Sequence, residues 1–190
     1  MLQIDPLKRP PNAELELAGS KSITNRALLI AALAEGKSTL SRALFAEDTL
    51  AMINCLQEFG IDIRHDHTTA TIAINGSGGE LETPQKELWV RQSGTTARFI
   101  LPLSALVKAP IEVDGDNQIR SRPQHDLLLA LNELGVDITH NGEMGHLPLT
   151  IDGSNLTVTD ISVSGETSSQ YLSALLLVGP CLPEKITLTL

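Results

Sequence analysis

The chain repeats itself at a period of about 75 residues, and a repeat of that length restricts the fold to equivalent units packed side by side. "LQEFGIDIRHD" (56–66) matches "LNELGVDITHN" (131–141), which sets Gly60 and Gly135 75 residues apart. Upstream, "AGSKSITNRALLIAALAEG" matches "RQSGTTARFILPLSALVKA", with Gly19 and Gly94 at the same spacing. Downstream, "ATIAING" (70–76) matches "LPLTIDG" (147–153). The opening recurs once more in "SGETSSQYLSALLLVG", where Gly165 begins a third unit. At the same period that unit needs about 50 residues beyond Leu190, so the chain is expected to be part of a larger polypeptide.

Each unit reads as a polar loop, an apolar helix (22–35; 95–107), a strand (38–44; 110–114) and a second helix (48–59; 123–134). Two strands follow, "IDIRHD" with "TATIAI" and "VDITHN" with "LPLTI", from their Val/Ile alternation. Asp48 is positioned to cap the second helix of unit one, and Pro123 suits the first turn of its counterpart. Gly60 and Gly135 suit helix stops. "LTVTDISVSG" and "KITLTL" read as strands around the third apolar helix, and "AELELA" (13–18) alternates like a strand of a different sheet. The fold class is α+β with an α/β-like succession of elements.

Composition excludes several functions. The net charge of −9 and 3% aromatics argue against a nucleic-acid surface, which needs a basic face and stacking platforms. No apolar run approaches the ~18 residues of a membrane span. The N-terminus lacks a secretory signal, so a cytoplasmic location is the default. Cys55 and Cys181 lie in apolar runs without CxxC spacing and read as core thiols. The five histidines have no metal-ligand spacing and read as solvated, Asp114 and Asp116 read as turn residues, and no metal or cofactor is expected. Neither GxxxxGK[ST] nor GxGxxG occurs, so a nucleotide site is unsupported.

The three openings, "GSKSITNR", "QSGTTAR" and "GETSSQ", put Gly, hydroxyls and cations where apolar helices begin. Helix N-termini offer free N–H donors and partial positive charge, and together with Lys21, Arg26 and Arg98 they make an anion site. Arg120 and Arg122 flank a further helix start. Taken singly, Ser22, Thr95 and Ser168 are most simply helix caps. Repetition with cations at equivalent places favours ligand binding.

Four stretches, "LAGSKSITNRALLIAALAEG", "SGTTAR", "RSRP" and "SSQYLSALLL", closely resemble the 5-enolpyruvylshikimate-3-phosphate synthase family, the 3-phosphoshikimate 1-carboxyvinyltransferases. The resemblance runs along essentially the whole chain but covers only the N-terminal half or less of a family member. It implies two lobes of three βαβαββ units each, an inside-out α/β barrel, with the site in the cleft. Residues 1–18 would then belong to the other lobe, and 19–190 to the N-terminal lobe, with units about 19–88, 89–157 and an incomplete 158–190. The implied reaction moves the enolpyruvyl group of phosphoenolpyruvate to the 5-hydroxyl of shikimate 3-phosphate, releasing phosphate, without a cofactor.

Carried onto this chain, the resemblance gives Lys21 contacts to both substrates, and gives Ser22 and Arg26 the shikimate carboxylate and hydroxyl side. It gives Ser168 and Ser169 the 3-phosphate, and sets Gln170 against the ring and phosphoenolpyruvate. Gly94 and Arg122 would contact phosphoenolpyruvate. Gln92 departs from the family, which commonly has Asn there. The family's acid/base Asp and Glu come from the other lobe, so no catalytic residue is assigned in this chain, and the chain alone is expected not to turn over. A monomer is expected at full length. Two alternatives are a UDP-N-acetylglucosamine enolpyruvyl transferase, disfavoured by Lys21–Ser22 and Ser168–Gln170, and a non-catalytic anion-binding repeat domain.

Overall fold

The computed structural model describes residues 6, 8–157, 160–163, 168–183 and 185–189. Gly165, expected to open the third unit, lies outside the described residues. The elements run in chain order as α1 (Lys21–Leu33), β1 (Glu35–Leu40), α2 (Glu47–Glu58), β2 (Asp62–Asp66) and β3 (Thr71–Ser77). Then come β4 (Leu88–Trp89), α3 (Gly94–Ser104), β5 (Pro110–Asp114), a short α4 (Asn117–Arg120), α5 (His125–Glu133), β6 (Asp137–His140) and β7 (Leu149–Asp152). The last elements are β8 (Ile161–Ser162), α6 (Ser169–Val178) and β9 (Leu188–Thr189).

Sheet pairing repeats with the sequence. In the first sheet β3 lies between β1 and β2, antiparallel to both, with Ser38 opposite Ile74 and Ile63 opposite Ile74. In the second, β7 lies between β5 and β6 in the same sense, with Ile151 opposite Ile111 and Ile138. There β4 adds parallel to the far edge of β5, so the second unit runs β-α-β-α-β-β. β8 and β9 pair in parallel across α6. Alternation sets the faces: Ile63, Ile72 and Ile74 are buried, while Asp62, Arg64 and Asn75 face outward. α1 packs on β3 and α3 on β5 and β7, and α1, α3 and α6 touch one another.

Local chemistry corrects several expected boundaries. The first strand was expected over 38–44, yet β1 ends at Leu40 because Arg42 adopts φ 56° and turns the chain. Leu44 is then tied down, its N–H donating to Thr24 Oγ1 at 3.2 Å and its carbonyl accepting from Thr49 Oγ1 at 2.7 Å. Asp48 does not cap α2. The cap residue is Ala46, and Thr49 Oγ1 accepts the Ala46 N–H at 2.9 Å, so the Asp48 carboxylate is free for other partners. Pro123 lies ahead of α5, which begins after Gln124. Gly60 (φ 83°) and Gly135 (φ 78°) end their helices in the left-handed conformation, as expected.

Residues 10–18, including the alternating "AELELA", form no strand, and Leu15 and Leu17 are 78% and 76% exposed. Cys55 is buried and its thiol is pushed up to about 12 by burial, with Glu58 adding to it. Cys181 is half-buried rather than a core residue. No helix among the described residues is long and apolar enough to cross a membrane.

Leu28, fully buried on α1, packs in the core shared by the helices. Leu28→Ala is expected to lower unfolding free energy by about 2–5 kcal/mol, measured by urea denaturation, through the lost burial and the cavity left behind. A loss under about 1 kcal/mol would show that this junction does not carry the fold.

Candidate anion site at the helix starts

Three serines cap the three helices that meet in the interior. Ser20, Ser93 and Ser168 accept N–H groups of Ile23 (3.4 Å), Thr96 (3.1 Å) and Gln170 (3.2 Å). Ser168 therefore does act as a cap, whereas Ser22 and Thr95 lie inside the first turn with side chains free for other work. Arg91, at φ 53°, makes the tight turn that delivers Ser93, whose N–H returns to the Val90 carbonyl at 3.1 Å.

Side chains stitch these starts together. Lys21 Nζ pairs with Asp48 Oδ2 at 3.1 Å, and Ser93 Oγ donates to the same oxygen at 3.1 Å. Asp48 thus bridges the first turn of α1 to the start of α3. Between α3 and α6, Arg98 Nη1 donates to Gln170 Oε1 at 2.6 Å and to Ser168 Oγ at 3.3 Å. Gln170 Nε2 in turn donates to Thr95 Oγ1 at 3.2 Å. Arg26 bonds the Ser22 hydroxyl one turn back and lies 5.4 Å from the Phe99 ring centroid. Ser169, exposed, opens α6.

Arg122 reaches the cluster by another route. A Cβ placed on Gly94 would lie 3.0 Å from Arg122 Nη1, so the glycine gives the guanidinium its place against the first turn of α3. Arg120 does not join: it forks onto the buried Asp114, with Nε donating to Oδ1 at 2.9 Å. Asp114, read from sequence as a turn residue, is therefore also a partner that takes one arginine out of the site. His65 and His67 are exposed and gather around Phe45, with His67 stacked 4.1 Å from its ring.

Lys21, Ser22, Arg26, Gly94, Arg122, Ser168, Ser169 and Gln170 thus all lie at or beside the gathered helix starts. Sequence reasoning missed Asp48 as their bridge. The available signal was Thr49, a hydroxyl able to supply the cap in its place. It also missed Tyr171, which is fully buried, holds Arg98 5.1 Å from its ring centroid and donates its hydroxyl to the Pro123 carbonyl at 2.8 Å. Burial raises the Tyr171 hydroxyl above its ordinary value, and Arg98 opposes the shift.

The cluster holds four cationic side chains, Lys21, Arg26, Arg98 and Arg122, against the carboxylate of Asp48, in a chain of net charge −9. Arg98 Nε and both polar side-chain atoms of Asn25 are buried without a partner among the described residues. The arrangement concentrates donors and positive charge, and suits binding anions rather than moving protons.

A family model described as EPSP synthase (3-phosphoshikimate 1-carboxyvinyltransferase) matches residues 8–190. The 3-phosphoshikimate 1-carboxyvinyltransferase of Trichormus variabilis is 41% identical over 187 residues, covering 98% of this chain and 44% of the relative. That of Opitutus terrae is 37% identical over 182 residues, 95% of this chain and 42% of the relative. The chain therefore spans less than half the length of these relatives. Among solved structures, EPSP synthase from Acinetobacter baumannii superposes with a TM-score of 0.79 at 28% identity, over 87% of this chain and 38% of that one. The enolpyruvyl transferase NikO from Streptomyces tendae shares the fold, at TM-score 0.55 and 16% identity.

Two outcomes follow from the geometry. In Gly94→Ala the added Cβ is expected to push the exposed Arg122 guanidinium aside by a few tenths of an ångström with little change in melting temperature; a crystal structure of the variant checks this, and an unmoved Arg122 would refute it. The chain's single tyrosine gives the second. Its hydroxyl is neutral in the fold beyond the pH at which it ionises in the unfolded chain, near 10. The stability it contributes is complete below pH 10 and is lost as pH rises through the higher folded value. Ultraviolet titration should place the midpoint above that of denatured chain.

Proposed function

Because the chain belongs to the EPSP synthase family, we propose that its gathered helix starts form one half of a site for enolpyruvyl transfer. In that reaction the enolpyruvyl group of phosphoenolpyruvate passes to the 5-hydroxyl of shikimate 3-phosphate, and phosphate is released. The observation that carries the reading is the cross-linked cluster Lys21–Asp48–Ser93 and Arg98–Gln170–Thr95, with Arg122 laid over Gly94.

Both substrates are anions and repel, so bringing them together needs fixed positive groups and N–H donors held in place beforehand. Ser168 and Ser169 at the start of α6 bind the 3-phosphate, where free N–H groups and the helix dipole favour it. Gln170, its amide fixed from both ends, lies along the ring and reaches phosphoenolpyruvate. Ser22 and Arg26 hold the shikimate carboxylate and hydroxyl side. Lys21 touches both substrates, and Gly94 with Arg122 receives phosphoenolpyruvate. Asp48 is ion-paired to Lys21, and the acid/base groups, as the family resemblance implies, come from the other lobe of the whole protein.

On this reading residues 1–18 belong to a second lobe, and 19–190 to the first, in units of about 19–88, 89–157 and 158–190. The exposed, unpaired Leu15 and Leu17 support that division. The whole protein would work in the cytoplasm as a monomer.

Saturating shikimate 3-phosphate should raise the melting temperature of the 190-residue chain, because binding to the folded state alone contributes about 2.7 kcal/mol at a hundredfold excess over Kd. Lys21→Ala should shrink the shift and Arg120→Ala should leave it intact. UDP-N-acetylglucosamine should give none. With both substrates, phosphate release by this chain alone should stay at background. Absence of any shift at millimolar shikimate 3-phosphate would overturn the binding assignment, and normal turnover would overturn the half-site assignment.

A further inference from the structure

The segment that carries Arg122 has little support of its own. It is a turn between α4 and α5, and Ser121, Arg122 and Pro123 are all exposed. The Ser121 N–H donates to the Asn117 carbonyl at 3.3 Å, and three bonds hold the backbone of Arg122 and Pro123. The Arg122 N–H returns to the Ile119 carbonyl at 3.0 Å. The Arg122 carbonyl accepts from Gln124 Nε2 at 3.2 Å, and Gln124 is itself fully buried with its N–H on the Gly145 carbonyl at 2.8 Å. The third bond is the only one of these that comes from another unit: Tyr171 Oη donates to the Pro123 carbonyl at 2.8 Å.

Tyr171 is adjacent to Gln170, and the two side chains reach in different directions. Gln170 engages Arg98 and Thr95 on α3, whereas Tyr171 engages the turn after Arg122. The phenol ring is fully buried and carries the Arg98 guanidinium against it, so its position is fixed before it meets Pro123. A buried hydroxyl without an acceptor is costly, so the bond and the turn's placement stabilise each other. Phenylalanine would fill the same core volume equally well, and the phenol is used here for its hydroxyl.

We infer that Tyr171 is a positioning residue: through its hydroxyl bond to the Pro123 carbonyl it fixes the backbone of Arg122 and sets the guanidinium over Gly94. It ties the placement of the proposed phosphoenolpyruvate-binding arginine to the helix that carries Ser168, Ser169 and Gln170. The inference rests on the proposed role of Arg122 for its ligand, but not for its geometry.

The test uses the 190-residue chain. Tyr171→Phe should keep the helical circular dichroism and weaken phosphoenolpyruvate binding about twofold to tenfold, the worth of one neutral hydrogen bond. Shikimate 3-phosphate affinity should change less than twofold. Equal weakening of both ligands marks general loosening and overturns the inference, as does an unchanged phosphoenolpyruvate Kd. If the unsubstituted chain binds neither ligand, the proposed function fails for this chain, and a ligand-free measurement decides the inference: the Arg122 Nε–Hε NMR signal, assigned by its loss in Arg122→Lys, should shift or broaden in Tyr171→Phe. An unaltered signal overturns it. Should Tyr171→Phe not fold, 3-fluorotyrosine labels Tyr171 alone, since the chain has one tyrosine. Its ¹⁹F resonance should then move in Gln124→Ala, which frees the turn, and a resonance that stays put overturns the inference.

Discussion

Packing α1, α3 and α6 against one another brings three helix N-termini to one place. Each carries unpaired N–H groups and partial positive charge, so the gathering is electrostatically unfavourable unless acceptors meet it. The protein meets it in two layers. Ser20, Ser93 and Ser168 satisfy one N–H at each start. Asp48 and Gln170 then supply acceptors between starts, for Lys21 and Ser93 on one side and Arg98 on the other. Positive charge remains in excess, and that excess is what an anionic ligand would complete.

The same constraint explains the division of labour among residues that look alike in sequence. Arg120 and Arg122 are two positions apart, yet they have opposite fates. Arg120 is neutralised by the buried Asp114, while Arg122 is turned to the glycine that leaves room for it. Ser20 and Ser22 are equally placed hydroxyls near a helix start, but the cap geometry uses only the first and leaves the second to Arg26. In each pair one member stabilises the fold and the other is available to a ligand.

Much of the architecture could be read from the chain. The 75-residue period, the Gly60 and Gly135 stops and the apolar alternation of β3 (Ile72, Ile74) and β7 (Leu149, Ile151) all depend on local backbone preference and on period, which a sequence displays directly. The boundaries that came out differently did so for two reasons. β1 ends at the Arg42 turn, beyond which Leu44 is held by α1 and α2, a contact between elements, whereas Asp48 is not a cap because its chain neighbour Thr49 takes the Ala46 N–H, a local choice.

What the sequence by itself determined was the set of groups: three polar helix openings, their cations and the repeat that makes them equivalent. What only the tertiary structure decided was which of those groups meet. Asp48 is 45 residues from Ser93, Arg98 is 72 from Gln170, and Tyr171 is 48 from Pro123. Pairings at such separations are set by how apolar helix faces pack, and that packing is a property of the assembled units rather than of any one stretch of chain.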